Sequence, residues 1–195
     1  MTESRPLKET PDYKLKIIVA GSGGVGKTTL VHRFLSGQFL KFSMTIGVSF
    51  QTHTIVLEDD KTAKLIIWDL GGQERFRQMS VFESYCIGAH GIILALDLTS
   101  AVRTLQELSL WTDIVRGGAP NAPIVLIGTK ADLMLEDVDL PQDLLDHFIL
   151  ENNIQGFFET SSLTGKNVHE TFIHLVNLIL KQSDPWGRAT PETAI

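Results

Sequence analysis

Cysteine is almost missing from this chain. The single Cys86 can form no internal disulfide, which suits a reducing, cytoplasmic setting. No apolar run reaches the roughly 20 residues that cross a bilayer as a helix; the longest are strand-length. The opening MTESRPLKETPDY has no apolar core of the kind a secretory signal needs. Thr2 follows Met1, so the glycine required for N-myristoylation is lacking, and the closing TPETAI offers no cysteine for prenylation. No direct lipid anchor is expected, and any visit to a membrane would go through a partner. An excess of positive charge is lacking as well. The formal net charge of −6 argues against a general attraction to nucleic acid or to an anionic surface.

What is there is ordinary for a globular domain: 195 residues, 43% hydrophobic and 21% charged, enough to bury a sizeable core. Residues 1–12 carry two prolines and read as a flexible arm, and 183–195 as a flexible tail, leaving 13–182 as one domain. Within it YKLKIIVA (13–20) is strand-like and runs into a glycine cluster. Helical spacing follows over 28–37, with Gly37 as its stop. The stretch 48–70 reads as two strands around a turn at 58–61. Buried strands are expected at 90–98 and 122–129, a short one within 156–162, and helices over 104–117, 141–152 and 167–182. Apolar strands alternating with amphipathic helices mark an α/β doubly wound sheet, whose ligands bind beyond the carboxyl ends of the strands.

The motifs fall at those strand ends. Gly21-Ser22-Gly23-Gly24-Val25-Gly26-Lys27-Thr28 fits G-x-x-x-x-G-K-S/T between a strand and a helix. Its glycines let backbone N–H groups wrap phosphates, Lys27 reaches the terminal phosphates, and the Thr28 hydroxyl is a Mg²⁺ ligand. Asp69 closes a second strand, where a carboxylate can hold the Mg²⁺ shell. Gln73, four residues on, is at the right remove to orient an attacking water, and Gly72 can turn its N–H toward a γ-phosphate. Thr45, the first residue of TIGVSF between the first helix and the second strand, can close over Mg²⁺ with its hydroxyl and carbonyl. Alone that segment is merely the entry to a strand.

In order, GSGGVGKTTL, TIGVSF, KLIIWDLGGQERF, YCIGAHG and ETSSLTGKNV resemble a Ras-superfamily small GTPase, most like the Rab branch, over residues 13–182. The resemblance implies a P-loop NTPase G domain: a six-stranded, mostly parallel sheet with one antiparallel edge strand, flanked by five helices. It also implies GTP/GDP binding with Mg²⁺ and two mobile segments, near 38–47 and 71–85, that order around the γ-phosphate. Effector, exchange-factor and GTPase-activating proteins are the implied partners, met through 38–50 and 71–85.

Carried over residue by residue, residues 21–28 with Thr29 would hold the phosphates, and Thr28, Thr45 and Asp69 the metal. Lys27, Gly72 and Gln73 would serve hydrolysis. Phe39 would pack edge-on against guanine, and Phe42 would cover the phosphates without the hydroxyl of the family's usual tyrosine. Gly23 matches the glycine whose substitution impairs hydrolysis in Ras-like proteins. In the base-reading loop GTKAD, Asp132 accepts from the guanine N1–H and 2-amino groups, and adenine would leave its carboxylate unpaired. Lys130 would lay its stem over the base, and Ser161, Ser162 and Leu163 would frame it from the other side. Thr129 replaces the commoner asparagine, resembling the TKxD of the Rho branch. Its hydroxyl is expected to do part of the bracing between loops, and Leu163 is also Rho-like. Leu70 stands where threonine is usual. Gly71 replaces the alanine of DTAGQE, giving an Arf-like GGQ that is expected to loosen the turn before Gln73.

Two readings of function stay open on these residues: a hydrolytic GTP switch, or a nucleotide-dependent scaffold with little hydrolysis. A P-loop kinase fits less well, because no arginine-rich lid insertion is seen. No arginine is placed as a finger in cis, so hydrolysis is expected to be slow. His169 and His174, five apart, miss a common helical face and read as packed or solvated rather than metal-binding. Cys86 reads as a small apolar filler, and acidic LEDVDLPQD as a solvated loop.

Overall fold

The most apolar stretches of the chain become the middle of one sheet. The computed structural model describes residues 10–57, 60–72, 81–134 and 142–183. Its strands are β1 (Tyr13–Gly21), β2 (Val48–Val56), β3 (Thr62–Leu70), β4 (Gly91–Asp97), β5 (Ile124–Thr129) and β6 (Phe157–Glu159). Between them run the helices α1 (Lys27–Ser36), α2 (Val81–Cys86), α3 (Ala101–Gly118), α4 (Gln142–Glu151) and α5 (Val168–Ser183). The strand order is β2-β3-β1-β4-β5-β6, with β2 antiparallel to β3 at one edge and every other pairing parallel. This is the expected P-loop G-domain architecture.

β4 and β5 are buried at every position, because helices cover both faces of the sheet. Alternate residues of β1 therefore feed two cores. Ile17 and Val19 pack with Phe34 of α1 and Phe172 of α5; Ile18 and Ala20 pack with Phe82 of α2 and Trp111 of α3. Burying side chains such as Phe82 and Phe172 contributes about 1.5–3 kcal/mol each. Asp12, just before β1, accepts from the backbone N–H of Thr62 at 2.7 Å and so fastens the start of β1 to β3.

Two elements differ from the sequence expectation. α3 begins three residues early, because a 3-10 turn over Leu98–Ser100 feeds it and Thr104 Oγ1 donates to the Ser100 carbonyl. The short strand expected within 156–162 is present, over Phe157–Glu159. α2 falls where a mobile segment was expected; it is a short helix whose Phe82 and Cys86, four apart, face α3. One turn is too brief for hydrophobic periodicity to stand out. The expected arm and tail fall mostly outside the described residues.

The parallel crossovers make the loops after β1, β3, β4 and β5 emerge at the same edge. β1 lies between β3 and β4, at the point where strand order reverses, so its glycine loop opens into the crevice that this topology creates.

Candidate functional site

The loop from Gly21 to Thr28 turns sharply because Gly24 and Gly26 adopt left-handed φ values of 76° and 101°. Gly26 caps α1 without a side-chain bond, which leaves the first N–H groups of the helix facing the loop. Lys27 is 5% exposed, and its Nζ donates to the carbonyls of Gly21 (2.7 Å) and Ser22 (2.8 Å). The buried Ser22 hydroxyl has no hydrogen-bond partner among the described residues, and Val25 is sealed in the core. A cleft of about 90 Å³ opens beside the loop, lined among others by Gly23, Lys27, Thr29, Phe42, Thr45 and Gly72. Gly72 lies against the loop so tightly that a Cβ on it would strike the backbone of Gly21, Ser22 and Gly23.

At the floor of this cleft three oxygen-bearing side chains from three elements converge. Thr28 Oγ1 lies 2.6 Å from Thr45 Oγ1 and donates to Asp69 Oδ2 at 2.5 Å. The other Asp69 oxygen, Oδ1, is buried without a hydrogen-bond partner among the described residues. Burial pushes the Asp69 carboxyl above its ordinary pKa of 3.8, while the Thr28 hydrogen bond, the Lys27 charge and Thr45 pull the other way. Two hydroxyls and a carboxylate with an unused oxygen are hard donors, the chemistry that suits Mg²⁺. Phe42 is exposed at the cleft mouth, its ring 5.0 Å from that of His32. Phe39 is half-buried and does not line this cleft. Gln73 and Arg75 lie outside the described residues.

The other end of the crevice is built from the loops after β5 and β6. Thr129 is buried, and its hydroxyl lies 2.5 Å from the Val25 carbonyl and 2.9 Å from that of Leu96. It thus ties β5 to the glycine loop and to β4. Lys130 takes a left-handed φ of 61° and sends its Nζ to Asp97 Oδ2 at 2.5 Å. Asp132 sits in a 3-10 turn, with its Oδ1 accepting from Ser161 Oγ at 2.5 Å. Ser161 is buried and its oxygen also accepts from the Thr164 N–H, while Ser162 is half-buried and Leu163 exposed.

The sequence reading passes over Asp97. It closes β4, and Asp69 stands one residue before the end of β3; each is a buried carboxylate near a strand's carboxyl end, and that parallel is the signal that could have found it. Its second oxygen accepts from the Thr99 N–H (3.0 Å) and hydroxyl (2.6 Å), so the carboxylate is fixed before it meets Lys130.

The weaker candidates take structural places. His174 Nε2 lies 3.1 Å from the Gln155 carbonyl with its ring against Phe158, and the His169 ring lies 5.8 Å from Phe34. No group of three or more His, Cys, Asp or Glu among the described residues could hold a metal. Burial pushes the Cys86 thiol up to about 11, with Lys16 opposing and Glu83 adding, so it stays protonated and unreactive at neutral pH.

Comparison with known proteins bears on what the crevice holds. The Ras family model matches residues 16–181. The Ras-related protein Rab-4B of Homo sapiens is 42% identical over 190 residues, covering 95% of this chain and 85% of that protein. The Danio rerio Ras-related protein Rab-4A is 40% identical over the same length, again with 95% of this chain and 85% of its own covered. The GTP-binding protein ypt4 of Schizosaccharomyces pombe is 38% identical over 178 residues, 89% of this chain and 74% of its own. Similarity on this scale runs through both ends of the crevice and nearly every element that supports it, and so the chain belongs to the Ras family, as a Rab-like small GTPase that binds guanine nucleotide.

Proposed function

We propose that the chain hydrolyses GTP to GDP and phosphate in a Mg²⁺-dependent reaction, and that the two states differ in how 38–50 and 71–85 meet partners. The observation that carries this reading is the convergence of Thr28, Thr45 and Asp69 beside the glycine loop, with one Asp69 oxygen unused. Thr28 and Thr45 would hold the metal directly and Asp69 would hold its water shell. When bound, Mg²⁺ offsets charge on the β- and γ-phosphates. Lys27 exchanges its two loop carbonyls for phosphate oxygens. The backbone N–H groups of 21–28 and Thr29 wrap the phosphates, and Gly72 turns its N–H to the γ-phosphate. Gln73 aligns the attacking water in line with the bond that breaks.

At the far end Asp132 reads the guanine N1–H and 2-amino groups. Lys130 lies along the base, with Asp97 fixing its ammonium. Thr129, Ser161, Ser162 and Leu163 shape the rest of that pocket, and Phe39 closes it edge-on. Among the described residues no arginine lines the phosphate cleft, which fits slow unaided hydrolysis, and a GTPase-activating partner would accelerate it by about 10³–10⁵. Effectors and exchange factors would read the exposed apolar side chains of Leu40, Met44, Ile46 and Phe50. Phe50 stands edge-on to Trp68 at 4.4 Å, which continues that surface toward Tyr85. No described helix is long and apolar enough to cross a membrane. A cytoplasmic site of action with recruitment by a partner is the reading we adopt.

Single-turnover hydrolysis of bound GTP tests the chemistry. Gln73→Leu is expected to lower the rate by about 10² or more while nucleotide affinity holds. Equal rates in variant and wild type would remove Gln73 from the mechanism and favour a nucleotide-dependent scaffold.

A further inference from the structure

The extra glycine of GGQ occupies a place that no side chain could share. A Cβ built on Gly71 would lie 2.7 Å from the Thr45 carbonyl oxygen, 2.8 Å from that of Gly47 and 3.1 Å from the Gly47 nitrogen. All three are backbone atoms, so no rotamer change relieves the collision. Gly71 is not one of the left-handed glycines; its missing side chain leaves the space in which the end of β3 meets the 45–47 backbone. The close approach carries a hydrogen bond, Gly71 N–H to the Gly47 carbonyl at 2.7 Å. That bond adds a rung to the β2–β3 ladder past its Val48–Leu70 pair. Two residues before Gly47, the Thr45 hydroxyl rests 2.6 Å from that of Thr28, which in turn donates to Asp69.

We propose that Gly71 is a positioning residue of the phosphate site. Its missing Cβ lets the 45–47 backbone seat directly on the end of β3, and that seat holds the Thr45 hydroxyl beside Thr28 and Asp69. A chain with alanine at this place must keep the two segments further apart. Here the narrower spacing sets how far Thr45 reaches into the cleft. The inference rests on the Mg²⁺-dependent reading above.

The test is dissociation of a fluorescent, non-hydrolysable GTP analogue from the full chain, in excess Mg²⁺ and in EDTA. Gly71→Ala is expected to speed release in Mg²⁺ by about ten- to a hundredfold, as losing support for a metal ligand does, and to leave the EDTA rate unchanged. Because Gly71 acts through Thr45, the double variant with Thr45→Ala releases no faster than Thr45→Ala alone. A Gly71→Ala rate equal to wild type in Mg²⁺, or effects of the two changes that multiply, would overturn the proposal. So would a parallel rise in both buffers with a lower melting temperature, the mark of a glycine that merely supports the fold. A measurement that needs no change at Gly71 reads the same coupling. Amide exchange at Gly71 should be slow in the Mg²⁺-analogue complex and fast in Thr45→Ala, and equal protection in the two would count against the seat. Release from wild type that ignores Mg²⁺ would overturn the reading of the site itself, and this inference with it.

Discussion

At the base end of the crevice, side chains are tied across the sheet to neighbouring backbone and to one another. Thr129 bonds to the glycine loop and β4, Lys130 to Asp97, and Asp132 to Ser161. At the phosphate end much of the intimacy is backbone against backbone: Gly72 against residues 21–23, and Gly71 against 45–47. The side chains there are short hydroxyls and one incompletely satisfied carboxylate. A hydrogen-bonded lattice of side chains is preorganised and suits recognition of an invariant group such as guanine. The 45–47 segment is held there by the Gly71–Gly47 backbone bond and the Thr28–Thr45 contact, few enough to part together, which suits an end that responds to the loss of a γ-phosphate.

The largest effect should come from breaking the reader at the base end. Asp132→Asn replaces an acceptor with a carboxamide, and preference is expected to move from GTP toward XTP by about 10² or more. Competition binding with the two nucleotides measures the ratio, and an unchanged preference for GTP would mean that the base is read elsewhere.

A smaller loss follows from removing the brace and keeping its shape. Thr129→Val strips the hydroxyl that serves the Val25 and Leu96 carbonyls, at a cost of about 1–3 kcal/mol in denaturant unfolding. If the two ends are built independently, this variant weakens GTP binding without changing the Mg²⁺ dependence of release. A collapse of that dependence would show the brace reaching the metal site through Val25.

The smallest effect lies away from both ends and serves as the control. His90 Nδ1 accepts from the Lys16 backbone N–H at 3.0 Å, so its ring is held neutral with the proton on Nε2. Burial, and then the Lys16 charge, lower its pKa below the ordinary 6.5. A depressed histidine contributes stability that is complete above the unfolded value and is lost as pH falls from about 6.5 through the folded value. His90→Asn keeps an acceptor for the Lys16 N–H but cannot titrate. Its unfolding free energy should therefore fall less than that of wild type between neutral and mildly acidic pH. Parallel pH profiles for the two proteins would rule out this contribution.

The glycine loop, the strand that precedes it and the helix that follows could be read directly, because φ freedom and hydrophobic periodicity are local properties. Asp69 and Asp132 were legible by their spacing from strand ends. Asp97 was not, although it closes β4 in the same way. Its place at the end of an apolar run marks the position, but its partner becomes visible only when β4 and β5 lie side by side and Lys130 is delivered to it. α2 was hidden because a single turn shows no period.

Local chemistry in the sequence therefore determined the elements, the phosphate loop and the residue types available for metal and base. Tertiary structure decided which of them touch. Thr129 meets Val25 across 104 positions of sequence, and Lys130 meets Asp97 across 33. Gly71 becomes a point of closest approach only once β2 is laid against β3. A glycine's freedom is visible in one residue; the atoms that fill the space where its Cβ would stand belong to another part of the chain.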